Sequence, residues 1–545
     1  MLQPSFPMAK RRLAHFCFLL ALAPTAASAQ LLPGPSPWTP PVGMPAPSFG
    51  ITQAPGTANY FVDNTHSAAT DTDNVSGTAT RPRRTVPTSL PAGAVVEIRG
   101  GPYLLSSQVT WTGGGSAAAP VFIRGIGSPV MTTTGTTGEI VVAGQYFVID
   151  GITFDKLIVQ MASGLHHFAL RRSTVRNYSP SSNSSAVNVQ GTDIVVYANE
   201  VHNNGDPTGA VEIDIHGVKL GVGDERVWVV DNHIHHNGGD AIQVGSATSA
   251  EPWARFVYIG RNTMHHDREN AVDIKQSRDV IITENDMYGY SPRASSSGEA
   301  VIVHNNPDRV WVINNRAHDS ARGIVSTGAI GFYVIGNLVT NIHEAGFSTT
   351  SLSDGHGIMA RATTQIVAVN NTLWSVDGGF SQDGNAPADC VNNIIGAVSA
   401  GGHHLGWGST TSGSASLIRN NLLQGTVNIL WAGSRYTSLS SFETSTGKGQ
   451  GSVNASPQFV SSTDWRLLAG SPAIDAGYAT SIGTPHPVFA LFEATYPGAG
   501  AITRDISGRL RSVLGAQWEL GAYDQNSSST TVPAPLTPSN LRIIR

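Results

Sequence analysis

DNHIHHNGGDAIQVG (residues 231–245), RNTMHHDRENAVDIKQS (261–277) and the split copy ENDMYGY (284–290) with GEAVIVHN (298–305) are three successive versions of one unit. Each has an Asn, a polar turn and a short alternating strand. Laid on one another, Asp240-Ala241-Ile242-Gln243-Val244-Gly245 matches Asn270-Ala271-Val272-Asp273-Ile274-Lys275, and then Glu299-Ala300-Val301-Ile302-Val303-His304. Aliphatic positions repeat while the alternate positions change chemistry. A solenoid does this when its core is fixed and one face is free to carry function.

The unit extends in both directions. Asn199, Asn232, Asn262, Asn285, Asn315, Asn337 and Asn371 occupy one equivalent site, continued by Asn393 and Asn421, at spacings of 22 to 34 residues. Three positions before each Asn stands an aliphatic residue (Val196, Val229, Ile259, Ile282, Val312, Val334), with Ala368 the small exception. Another apolar residue follows two positions after. These columns belong inside, and the Asn row is expected to be structural: a buried Asn at a bend satisfies the turn's backbone groups and stacks on its neighbours.

Composition agrees. The 545 residues include 59 Gly, only 13% are charged, and no long stretch has helical apolar periodicity, so an all-β chain is expected. The net charge of −5 and the lack of a long basic run argue against a nucleic-acid partner. Lys10, Arg11 and Arg12, an apolar run over 13–23 and Ala27-Ser28-Ala29 read as a secretory signal peptide over 1–29, too short for a transmembrane span. Cys17 leaves with it. Cys390 remains alone, so no disulfide framework is expected. Residues 30–58, rich in Pro and Gly, read as a linker. The product is expected to be secreted and monomeric.

YFVDN (60–64), DTDN (71–74) and PAGAVVEIRGGPY (91–103) resemble the opening of many secreted right-handed parallel β-helix proteins, among them calcium-dependent pectate lyases. SPQF (456–459), DWRL (464–467), SPAIDAG (471–477), RDISGR (504–509) and ELGAYD (519–524) resemble the C-terminal closure of such proteins. The resemblance implies a single-stranded parallel β-helix: an N-terminal cap over 59–120, about ten coils over 121–424, a C-terminal cap over 425–525 and a disordered tail over 526–545.

In a solenoid of this kind equivalent residues form columns ~4.8 Å apart. One outward column carries Val195, Trp228, Tyr258, Ile281, Trp311 and Tyr333, suited to stacking on sugar rings or to packing under a covering segment. A second carries His202, His235, His265, Tyr288 and His318, read as a solvated imidazole stack or a transition-metal site. The third holds the chemistry. Gly209-Ala210-Val211-Glu212-Ile213-Asp214, aligned as a strand, gives a column of Glu212, Gln243 and Asp273, another of Asp214, Gly245, Lys275 and His304, and a third of Asp240, Asn270 and Glu299. Arg322, Arg361 and His356 enter the same face. Oxygen donors from adjacent strands suit Ca²⁺, so Glu212, Asp214, Asp240 and Asp273 are expected to hold it. Gln243, Asn270, Glu299 and His356 are expected to touch substrate.

A cation beside a lysine suits β-elimination in an acidic, uronic-acid polysaccharide, with Lys275 as the base, His304 at the leaving oxygen, and Arg322 and Arg361 as further catalytic groups. The set is similar to the lysine-base pectate lyases, whose resemblance implies an Asp-Asp-Gly-Trp-Asp calcium coil. Gly239-Asp240-Ala241-Ile242-Gln243 keeps one of those three acids. Glu212, Asp214 and Lys219 also fit the spacing of the alginate lyase and chondroitinase B group, without the Arg-His-Gly that the resemblance implies on the next coil; this makes Lys219 a second candidate base. Hydrolysis by paired carboxylates (Glu212 with Asp240, or Asp240 with Asp273) and a non-catalytic glycan-binding surface are the rival readings.

Overall fold

A computed structural model describes residues 58–248, 251–352, 354–479, 484, 486–496, 503–509, 511 and 517–525. The expected signal peptide, most of the linker and the C-terminal tail lie outside the described residues. No helix among the described residues is long and apolar enough to cross a membrane.

Among the described residues the chain winds through three sheets of 14, 14 and 15 strands, visiting each once per turn, with every strand pairing parallel except the final antiparallel one of Ile429–Trp431 with Ser434–Tyr436. Parallel strands joined by repeated crossovers of one hand form a right-handed parallel β-helix. The first sheet begins at Tyr60–Asp63, the second at Tyr103–Leu105 and the third at Ser89–Leu90. Coils therefore start about sixty residues before the position expected, and the stretch read as an N-terminal cap already pairs in register, Val62 against Ile98 and Val96 against Ile123. Its strands were hidden by turn residues that break the alternation, such as the Gly100-Gly101 pair, both at positive φ.

The aliphatic columns form one continuous interior, with Val196, Val229, Ile259, Ile282, Val312 and Val334 all at 0% exposure. Stacked coil on coil, this interior stabilises the solenoid by apolar burial. Cys390 sits within it as a free thiol.

The Asn row is a hydrogen-bonded ladder. Asn262 Nδ2 donates to Asn285 Oδ1 at 3.0 Å and to the Val229 carbonyl at 2.8 Å, and the Asn262 backbone N–H donates to the same Asn285 Oδ1. The pattern runs without a break from Asn199 to Asn421. Each ladder residue follows one in the left-handed region (Asp231 φ 57°, Arg261 φ 54°, Asn314 φ 54°), which bends the chain from the first sheet into the second. A second, shorter ladder of Asn204, Asn237 and Asp267 marks the next bend.

The aromatic column is covered. Trp228 and Trp311 are fully buried, and Trp311 meets Phe492 edge-on at 4.9 Å between ring centres. Phe492 belongs to the helix Val488–Thr495, which lies on the first sheet with Phe489, Tyr496 and Trp518. The region expected as a C-terminal cap therefore divides its work. The helix Leu439–Thr446 places Phe442 against the end of the interior, whereas later segments run back along the flank, Asn370 Nδ2 donating to the Glu519 carbonyl and Asn314 Nδ2 to that of Arg504.

Candidate functional site

Two insertions wall one stretch of the third sheet. Residues 205–214 precede the strand Ile215–Leu220, and residues 289–298 precede Glu299–Val303. The two coils between them cross by short turns to Ile242–Val244 and Val272–Ile274. The insertions meet over those shorter coils. Ser295 Oγ lies within hydrogen-bond distance of Glu212 and, at 2.5 Å, of Glu269, while Arg268 reaches back to the carbonyls of Asp206 and Gly209 at 3.3 and 2.9 Å.

Glu212 and Asp214 are thus not on a strand, contrary to the alignment expected from sequence. The run Ala210-Val211-Glu212-Ile213 alternates like a strand, but Val211 is 73% exposed. The strand begins at Ile215 and brings Lys219 into register with Gln243 and Asp273, where Glu212 was expected. In the neighbouring column His216 precedes Asp240, Asn270, Glu299 and Arg322. Gly221, not Asp214, opens the column of Gly245, Lys275 and His304.

The acids separate into two groups. Glu212, Asp214 and Glu269 bring one carboxylate oxygen each within 4.8 Å of the others, and a ring nitrogen of His216 lies as close to one oxygen each of Asp240 and Glu269, which belongs to both groups. Asn183 supports the first group, its Nδ2 donating to Asp214 at 3.2 Å and its Oδ1 accepting from the Asp214 N–H. Asp214 Oδ1 is buried without a hydrogen-bond partner. Burial, then the charge of Asp240, pushes Glu269 up to about 8. Asp240 has no exposed surface, and burial raises its carboxyl well above the usual range despite the Asn270 Nδ2 that donates to it at 2.9 Å. Burial pushes His216 down to about 4, so its imidazole is neutral. Crowded acids with an orphaned oxygen could hold a hard divalent ion of Ca²⁺ type through Glu212, Asp214 and Glu269.

Asp273 stands apart from both groups. It pairs with Lys275 Nζ at 3.0 Å and lies 2.8 Å from His304 Nε2, so its charge is already met. The two lysines differ. Lys275 is raised: burial alone would lower it, but Asp273 more than offsets that. Lys219 is lowered, first by burial and then by the nearby charge of Lys275, and it forms no ion pair among the described residues.

The remaining expected residues are mostly spoken for. Asn270 Oδ1 accepts from Ser296 Oγ and the Glu299 N–H, and Glu299 accepts from the Ser297 N–H, so both hold the insertion rather than face solvent. Gln243 Nε2 donates to Asp240 at 3.4 Å. Arg322 grips Glu344 through two bonds of 2.8 and 2.9 Å. His356 is 1% exposed and faces His403 at 3.0 Å, which removes it from substrate contact. Arg361 lies three coils beyond Lys275, ~14 Å away at the strand spacing, and pairs with Asp383 at 2.9 Å. Sequence reasoning missed His216, Glu269 and Asn183; the second ladder (Asn204, Asn237, Asp267) was the available signal, since it fixes where each coil leaves the second sheet.

If the acid cluster holds calcium, calcium should raise the melting temperature, and more so at higher pH. Glu269 is raised in the folded state, so without metal it contributes stability that is full below its unfolded value of about 4.3 and lost as pH rises toward about 8. Calcium requires the ionised form and acts in that same window. Thermal scans with calcium and with chelator at about pH 5 and pH 8 check this; equal gains at both would remove Glu269 from the ligand set.

No protein-family model matches this chain, and no curated protein matches it. Its shape is similar to solved structures. A mannuronic acid specific polysaccharide family 6 lyase from human gut microbiota is 12% identical, over 68% of this chain and 87% of that one, with a TM-score of 0.46. Pectate lyase Pel9A is 13% identical over 88% and 98%, with a TM-score of 0.39. A GH87 alpha-1,3-glucanase catalytic unit from Streptomyces thermodiastaticus strain HF3-3 is 14% identical over 69% and 65%, with a TM-score of 0.39. These are likenesses of fold.

Proposed function

We propose that this chain is a secreted polysaccharide lyase that cleaves a uronic-acid polymer by β-elimination, with Lys219 as the base. The opposed shifts of Lys219 and Lys275 on one face carry this reading. Burial lowers the Lys219 amine while Asp273 more than offsets burial at Lys275, so Lys219 gives up its proton the more readily of the two. Lys275, first expected to be the base, is held cationic by Asp273 and is the poorer proton acceptor.

Calcium held by Glu212, Asp214 and Glu269 would neutralise the sugar carboxylate and make the adjacent C–H more acidic. Lys219, its amine lowered by burial and in no ion pair among the described residues, takes that proton. Lys275, oriented by Asp273 and behind it His304, gives a proton to the departing glycosidic oxygen. The insertions at 205–214 and 289–298 form the walls that position the chain.

The two rivals fit less well. Paired-carboxylate hydrolysis needs Asp240 at the surface, and Asp240 is sealed beneath Asn270 and Gln243. Glycan binding through the aromatic column needs rings that the C-terminal segment covers. Incubating purified protein with a panel of acidic polysaccharides tests the reading: a lyase produces ultraviolet-absorbing unsaturated ends, a hydrolase only reducing ends, a binding protein neither.

The pH profile gives a sharper check. Turnover should rise with pH as Lys219 loses its proton. In Lys275→Met the positive neighbour is gone, so the Lys219 value rises and the ascending limb should move to higher pH, alongside a lower maximal rate. An unmoved limb would mean that Lys219 does not titrate on the reaction path.

A further inference from the structure

We propose that Glu200, His233, His235 and His265 form a site for a divalent transition metal of the zinc class on the second sheet, independent of the lyase reading. These residues belong to three consecutive coils. Glu200 pairs in register with His233, and His235 with His265, along the strands Glu200–His202, His233–His235 and Thr263–His265.

Ligand atoms of Glu200, His233 and His235 all lie within 4.8 Å of one another. His265 Nε2 comes within 2.9 Å of His233 Nε2. His235 Nε2 is buried without a hydrogen-bond partner and sits 3.7 Å from Glu200 Oε1. Its other nitrogen is engaged, 2.8 Å from His236 Nδ1. Nε2 therefore faces the carboxylate and the neighbouring imidazoles. The rings are held for this by stacking: His202 on His235 at 5.1 Å between centres, His235 on His265 at 4.9 Å, His265 on Tyr288 at 4.8 Å.

The donor chemistry selects the ion. Three imidazole nitrogens and one carboxylate oxygen suit Zn²⁺, Ni²⁺ or Cu²⁺ and not Ca²⁺, which takes oxygen. A plain stack of rings would explain the ring distances. It does not explain why a carboxylate oxygen and ring nitrogens from successive coils gather within reach of one ion. A bound ion would clamp three coils immediately ahead of the turns that deliver Asp240 and Glu269 to the other face.

The test is zinc titrated into chelator-treated full-length protein, read by competition with a chromogenic chelator and by melting temperature in excess calcium. We expect saturable binding at a single class of site and a rise in melting temperature that calcium does not mimic. Glu200→Gln and His233→Gln should each weaken zinc binding about ten-fold or more, leaving the response to calcium unchanged. Glu200 is 49% exposed on its side chain, so its variant folds even if His233→Gln does not. Absence of saturable zinc binding, or equal affinity in Glu200→Gln and the parent, would overturn the site and leave the histidines as a stacking ladder.

Discussion

Lys219→Ala is expected to lower turnover on an acidic polysaccharide by about 10³-fold or more while leaving the melting temperature nearly unchanged. The side chain is half-buried, makes no ion pair among the described residues, and stands on the rigid strand Ile215–Leu220 between the two insertions. Removing it deletes a partner-free amine, so little folding energy depends on it. Deleting a general base, by contrast, removes the step that breaks the C–H bond. Lys219→Arg should be nearly as inactive, since a guanidinium keeps its proton. Lys275→Ala offers the contrast: a slower enzyme, and a fold weakened by about 1 kcal/mol or more, because Asp273 would be left buried with only His304. If Lys219→Ala keeps most of the activity and Lys275→Ala abolishes it, the two roles are exchanged.

Asn285→Ala should be among the most destabilising single changes in the coils, by about 3–5 kcal/mol in urea unfolding. Asn285 Oδ1 accepts from both the backbone and side chain of Asn262; its Nδ2 donates to the Ile259 carbonyl at 3.0 Å and to Asn315 Oδ1 at 2.9 Å. Asn285 is 1% exposed, so water cannot replace these bonds, and the substitution leaves several unmet polar groups besides a cavity. Each coil contacts only its neighbours, so hydrogen exchange should quicken first in the coils carrying Asn262 and Asn315 and least near either end. A loss under about 1 kcal/mol would mean that the ladder follows from the bend instead of holding it.

The coils were legible because their periods are local. The residue three before each ladder Asn and the residue two after point inward whatever surrounds the chain, and Asn232, Asn262 and Asn285 stand at the same bend on every turn. The site was less legible, for one physical reason. The insertion at 205–214 alternates apolar and polar residues without being a strand, which put Glu212 where Lys219 belongs. Glu269 lies next to Asn270 in sequence, yet only the insertion at 289–298, through Ser295, shows that it faces Glu212. The aromatic column read either as a glycan platform or as packing under a covering segment; the structure shows the second, and the helix that does the covering lies more than 170 residues later than Trp311 in the chain.

The most direct test of eliminative cleavage is to digest a uronic-acid polymer in heavy-oxygen water and weigh the products by mass spectrometry. Elimination takes nothing from solvent at the broken bond, so each new non-reducing end should be unsaturated and the new reducing ends free of heavy oxygen at the moment of cleavage. Products whose masses carry one added water, labelled with the heavy isotope, would contradict the account and make the acids around Glu269 a hydrolase site.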